Sequence, residues 1–271
     1  QFRLWKRMGM AVGFLPFSTV GYSLSNTSEL TKDEDGTVIN KTASYAGDGG
    51  LQQVFAGVGF KVLDNLSIGA NISYIYGDIT HSVTTAFSNS SSFSSVRLDK
   101  ISINDYKLDF GLQYSYKFNK KHVLNFGAVY SLGHSVNGKG YKYNQKWLNG
   151  ADYPSTQTGD TITNAFSLPH TFGAGLTYVY DNRLTIGADF TYQQWEDAKF
   201  YNEKSYFSNR TKIAAGAEFV PNPYSRNYLK RVRYRVGGYY SDPYTKVDGQ
   251  DGTREYGVSA GFGFPLFQSK S

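Results

Sequence analysis

Seven ionisable residues, Lys61, Asp109, Asp189, Lys212, Glu218, Arg233 and Arg235, lie in stretches whose alternate positions are apolar, and each falls on the side opposite the apolar series. A guanidinium matches a carboxylate bidentately, so Arg233 or Arg235 would attract an acid headgroup. The same charges set on neighbouring strands would equally brace a wall through ion pairs. Hydrolysis is the second chemistry to weigh. Gly133-His134-Ser135-Val136-Asn137-Gly138 sets an imidazole beside a hydroxyl but lacks the second glycine of a G-x-S-x-G elbow. Neighbouring residues on a strand point to opposite faces, so His134 and Ser135 cannot share a hydrogen bond. No catalytic residue is assigned and no enzyme is expected.

Metal chemistry fares no better. His81, His122, His134 and His170 show no paired ligand spacing. Asp33-Glu34-Asp35-Gly36 and Asp248-Gly249-Gln250-Asp251-Gly252 lack the full alternating calcium pattern with its distal Glu, and read as turns in which Asp-Gly supplies positive φ. The chain has no cysteine, which removes disulfides and thiolate sites. Neither a metal nor a cofactor is expected.

The elements that position these residues are strands. Residues 168–195 read as a hairpin: Phe172, Ala174, Leu176, Tyr178 and Tyr180 share one face, the chain turns at Asp181-Asn182-Arg183, and Leu184, Ile186, Ala188, Phe190 and Tyr192 resume it. A period of two is the signature of β-structure. The same alternation predicts ten strands, at about 7–30, 37–62, 66–87, 93–118, 123–143, 168–180, 184–200, 206–221, 232–245 and 255–266. Tyr45-Ala46-Gly47-Asp48-Gly49-Gly50 interrupts the second, and reads either as a glycine-rich kink or as a loop between two shorter strands.

Alternation alone does not separate a soluble sandwich from a membrane barrel. Three features favour lipid. The apolar faces end in aromatics such as Tyr74/Tyr76, Tyr114/Tyr116 and Tyr178/Tyr180, as interfacial girdles do. Tight connections (Leu63-Asp64-Asn65, Asn119-Lys120-Lys121, Asp181-Asn182-Arg183) alternate with long polar ones at about 144–167 and 246–254. Several strands exceed the roughly 9 to 11 residues that span a bilayer, so their ends would project beyond it. Mean hydropathy of −0.44 and the absence of any apolar run near 18 residues exclude helical spans but not barrels. The net charge of +6 is densest at Arg226, Lys230, Arg231, Arg233 and Arg235, which read as a solvated turn running into a polar strand face. No nucleic-acid motif accompanies them.

A family resemblance sharpens this reading. Leu168-Pro169, then Gly173-Ala174-Gly175-Leu176-Thr177-Tyr178, Ala188-Asp189 and Trp195 resemble, in order, a stretch of the FadL/TodX family of outer-membrane transporters for hydrophobic compounds. Gly57-Val58-Gly59-Phe60-Lys61, Leu66-Ser67-Ile68-Gly69-Ala70-Asn71 and Arg235-Val236-Gly237-Gly238-Tyr239-Tyr240 are similar to flanking hairpins of that family. The resemblance implies a fourteen-stranded antiparallel transmembrane β-barrel of the bacterial outer membrane, of which about ten strands are visible here. It also implies an N-terminal hatch and last closing strands that residues 1–271, read as one barrel domain, lack. The expected function is passive transport of hydrophobic small molecules such as long-chain fatty acids. The alternatives are a scaffolding barrel that binds partner proteins and a soluble all-β binding protein. Membrane lipid, lipopolysaccharide, a hydrophobic ligand and outer-membrane proteins are the expected partners, with no nucleic acid. The seven polar-face residues are expected to face the lumen, because a cation on the lipid face costs about 2 to 4 kcal/mol near the midplane.

Overall fold

The computed structural model describes residues 1–32, 35–89, 91–148, 156–163, 166–200, 206–247 and 249–265. Asp33, Glu34 and Asp248 of the two Asp-Gly turns lie outside the described residues, as do 149–155 and 164–165 of the long polar connection. So do residues 266–271.

Strands dominate. In chain order they are β1 (Phe2–Trp5), β2 (Met8–Lys32), β3 (Val38–Lys61), β4 (Leu66–Phe87), β5 (Phe93–Lys117), β6 (His122–Ser131), β7 (His134–Val136), β8 (Gly138–Leu148) and β9 (Thr156–Thr163). There follow β10 (Phe166–Leu168), β11 (Thr171–Tyr180), β12 (Leu184–Gln193), β13 (Arg210–Phe219), β14 (Arg233–Ser241), β15 (Lys246–Val247), β16 (Gln250–Asp251) and β17 (Glu255–Gly263). The principal sheet runs β1-β2-β3-β4-β5-β6-β11-β12-β13-β14-β17, every pairing antiparallel. Ten of these strands answer to the ten expected from the alternation.

Register explains why the pattern was so regular. One row crosses ten strands as Met8, Phe60, Ile68, Leu112, Ala128, Ala174, Phe190, Ile213, Tyr240 and Tyr256. Such rows form a continuous apolar belt about nine residues tall, from Leu66 to Tyr74 on β4 and from Phe172 to Tyr180 on β11. That is close to the length a spanning strand needs. Tight turns close one end; at one of them Asp181 and Asn182 take φ of 50° and 54°, the paired left-handed conformation of a hairpin whose twist matches its strands.

Two expectations need correction, and one open alternative is decided. The stretch at 123–143 is three strands: β6 leaves β5 at Ser131, β7 folds away from the principal sheet to pair with β10, and β8 rejoins the upper half of β5. The long polar connection is partly ordered, because β8 and β9 pair over Lys139–Lys146 and Thr156–Thr163. Its largely polar residues fit a hairpin clear of the belt, with Ile162 turned onto the buried cluster. The glycine run at 47–50 is no loop: β3 is paired on both sides throughout it. Gly49 and Gly77 there take φ of +107° and +144°, and a Cβ at either would press on a carbonyl oxygen, of Asp78 or Gly50. Only glycine fits that close approach of β3 and β4.

Among the described residues, only β2, β3, β4, β5, β8 and β9 continue the principal sheet above the belt, so it is tall on one side. A bulge at Pro16/Ser18 in β2 lets Phe17 pack onto a buried cluster of Leu51, Ile75, Ile101, Ile103 and Val136. Ile162, Phe166, Leu168 and Phe200 pack on the same cluster.

Candidate functional site

The face opposite the belt is hollowed. A cavity of about 730 Å³ is lined by residues from β2 (Phe17, Val20), β4 (Ile79, His81), β5 (Ile101, Ile103, Lys107), β11 (Thr171), β12 (Gln193) and β13 (Arg210). A single hollow touching so many strands requires the sheet to curl around this face. Its mouth is aromatic: Trp195 stacks on Tyr244 at 5.0 Å and meets Phe207 at 5.3 Å, while Phe166 and Phe200 contact each other edge to face. Trp195 Nε1 donates to Gln193 Oε1 at 3.2 Å, which leaves the indole face toward the hollow with its polar group satisfied.

The inward fold of 132–137 is held from β5. The Asn137 backbone N–H donates to Asp105 Oδ2 at 2.6 Å, the His134 ring stacks on Tyr106 at 4.6 Å, and His134 Nε2 lies 3.5 Å from that carboxylate. Gly133 N–H and the Tyr130 hydroxyl both bond His170 Nδ1, at 3.1 and 2.8 Å, tying this segment to the start of β11. Ser135 faces away, its hydroxyl 3.5 Å from that of Ser167. The neighbours His134 and Ser135 thus point apart, as strand geometry requires.

Register places all seven charged residues singled out by sequence on the cavity-bearing face. The structure brings only three of them together: Glu218 accepts from Arg233 Nη1 at 2.8 Å and from Arg235 Nε at 2.6 Å. Asp109 is bonded by Lys107 and by the Ser131 hydroxyl, the latter at 2.5 Å. Lys212 lies 5.4 Å from the Tyr239 ring centre, and Lys61 pairs with Asp64 at 3.6 Å in the turn. Asp189 faces Gly175 across β11 and β12, in a second hollow of about 500 Å³ floored by Gly59, Gly69, Gly111 and Gly127.

Two functional features escaped the sequence. Arg210 is the guanidinium at the large cavity; it donates to Ser241 Oγ at 2.9 Å and lies 5.7 Å from the Tyr244 ring centre. Its parity with Lys212 in the same strand was the available signal. The apolar lining escaped because Ile101 and Ile103 fall at positions that, lower on the same strand, carry Lys107 and Asp109. Three histidines serve wall hydrogen bonds to tyrosines: His81 with Tyr22, His122 with Tyr178 and His170 with Tyr130. Among the described residues no group of three or more His, Cys, Asp and Glu could hold a metal ion.

A family model described as BamG matches residues 2–271. No curated protein sequence matches the chain. Several solved structures share its fold. A FadL homologue from Pseudomonas aeruginosa aligns at TM-score 0.53 and 13% identity over 97% of this chain and 77% of that one. The toluene transporter TbuX of Ralstonia pickettii aligns at 0.52 and 12% over 88% and 78%, and the monoaromatic hydrocarbon channel CymD at 0.51 and 11% over 97% and 81%.

Proposed function

The chain belongs to the BamG family, and we propose that it is an outer-membrane barrel that binds hydrophobic small molecules and passes them across the membrane passively. The observation that carries this reading is the 730 Å³ cavity, walled by Ile79, Ile101, Ile103 and a cage of aromatic rings on the face that is otherwise polar. Burial of such side chains where water would otherwise stand creates an apolar pocket with a few polar groups at its edge, the usual form of a small-molecule site. Solved proteins of the same fold include a toluene transporter and a monoaromatic hydrocarbon channel, which supports the ligand class.

The seven charged residues belong, in this reading, to the lumen wall. Arg233 and Arg235 spend their guanidinium groups on Glu218, so they brace the wall. Lys107 is likewise engaged, by Asp109, so a carboxylate on the ligand would meet Arg210, which lines the cavity, is held by the Ser241 hydroxyl and lies 3.9 Å from Glu255. Long-chain fatty acids are therefore one ligand class the site fits, beside uncharged hydrocarbons. Lipid on the belt and lipopolysaccharide around the tall strands complete the setting.

The test is organic extraction of the protein purified in mild detergent, with mass spectrometry against a detergent-matched control barrel. Enriched apolar compounds, reduced when Phe207 is replaced by Asp in a variant that still folds, are the expected result. An extract indistinguishable from the control would count against the reading.

A further inference from the structure

The tight-turn end of the barrel is basic out of proportion to the chain. The segments 61–66, 117–122, 180–184 and 218–235 hold ten Lys and Arg against three acids, while the rest of the sequence holds 18 against 19. One connection at this end differs from the others. Residues 220–232 form a long loop where its neighbours are tight turns, and the loop is cross-braced. Asn222 Oδ1 accepts from Tyr224 N at 3.0 Å, Ser225 Oγ from Asn227 N at 3.1 Å, and Asn227 Oδ1 from Leu229 N at 3.0 Å. Asn222 N–H donates to the Lys230 carbonyl at 2.8 Å across the loop. Arg183 of the adjacent turn grips the Pro221 carbonyl through Nε and Nη2, at 3.0 and 2.6 Å, and buried Val220 and Val232 close the base.

What the bracing displays is apolar and cationic together. Tyr224 is 86% exposed and Leu229 66%, flanked by Arg226, Lys230 and Arg231, with no acid between Phe219 and Arg233. A loop that only had to reverse the chain would need neither thirteen residues nor this lattice of side-chain bonds. Rigid presentation of a Tyr and a Leu with surrounding arginines is the composition of a protein contact, since preorganisation cuts the entropic cost of docking.

We propose that this loop and the basic turns beside it dock an acidic protein surface on the periplasmic side of the outer membrane. Tyr224 and Leu229 would enter a shallow apolar recess, and Arg226, Lys230 and Arg231 would face carboxylates around it. Complementary charge at the rim speeds encounter and sets register. The assignment of this end to the periplasm rests on the outer-membrane reading above; the contact itself does not depend on the cavity's ligand. Anionic phospholipid is the competing occupant; a flexible turn would serve it as well, whereas the internal bracing of this loop fits a contact of fixed shape.

The test is in-cell photocross-linking of the full-length protein with a benzophenone amino acid at position 224. One discrete adduct with an acidic protein is expected. It should be lost in the triple variant R226E/K230E/R231E and regained when acidic residues at the mapped contact on that protein are reversed to Lys. Heat-modifiable migration and ligand extraction of the triple variant should match wild type, which separates loss of docking from loss of fold or of cavity. An adduct that persists through charge reversal would overturn the proposal. So would the absence of any protein adduct together with a fall in co-purified anionic phospholipid in the triple variant.

Discussion

The lower and upper halves of β4 obey the same alternation with opposite signs. From Leu66 to Tyr74 the even-numbered side chains are apolar and Ser67, Gly69, Asn71 and Ser73 lie on the other face. From Ile75 upward the polarity inverts: Ile75 and Ile79 continue the formerly polar face, while Asp78, Thr80, Ser82 and Thr84 continue the formerly apolar one. β5 inverts at the same height, with Ile101 and Ile103 above Lys107 and Asp109, and Ser102 and Lys100 above Tyr106. No bulge intervenes in the β4–β5 register, so the pairing does not slip and the side chains keep their faces across Gly77. In the proposed outer-membrane barrel the inversion follows the media: below, one face would meet lipid and the other a polar lumen. Above, the first face would meet water, and the second packs around the cavity and the inward-folded β7 and β10.

The comparison is most directly broken by charges placed on each side of the inversion. Ile75 is 2% exposed within the buried cluster, so Ile75→Asp should cost more than about 3 kcal/mol, read as a lost heat-modifiable band or a sharply lowered urea midpoint. Ile72→Arg, three residues lower and on the lipid face, should cost about 2 to 4 kcal/mol. Thr80→Arg lies on that same face above the belt and should change stability by no more than about 0.5 kcal/mol. Equal costs for the two arginines would mean that the belt does not end at Tyr76.

Gly77→Ala probes the backbone at the point of inversion. Its φ of +144° and the carbonyl of Gly50 beside its missing Cβ make a cost of about 1 to 3 kcal/mol the expected result in the same assay. The smallest effect belongs to Asp78 on the outer face above the belt. The Ser102 hydroxyl, at 2.5 Å, and then the Lys100 ammonium, at 2.9 Å, hold its carboxyl below the usual carboxylate range. A depressed folded value means the contribution is complete above the unfolded value of about 3.9 and is lost as pH falls through the folded one. Asp78→Asn should therefore cost under about 1 kcal/mol at neutral pH and flatten the acid limb of the stability profile.

Much of this was legible in sequence, because a sheet with one continuous apolar face imposes a strict period of two, and each of the ten alternating series found its place in the sheet. The seven charged residues fell on one face for the same reason. What was not legible is the site above them. Leu51, Ile75, Ile101 and Ile103 look like breaks in a polar face unless the change of surroundings at Tyr76 is known. The departure of β7 from the wall depends on contacts far apart in the chain, Asn137 with Asp105 and Gly133 with His170, that no local pattern encodes. Trp195 and Arg210 were visible as residues, but only the curl of the sheet brings them to one cavity.

The central claim is that this cavity takes hydrophobic molecules. Trp195 is its natural reporter, and Trp5 and Trp147 can be replaced by Phe to leave it alone. Titrating that variant in detergent with toluene and with a long-chain fatty acid should give a saturable change in Trp195 emission for at least one of them, weakened by Phe207→Asp. A response that rises without saturating, unaltered by Phe207→Asp and matched by free tryptophan analogue in the same micelles, would contradict the account.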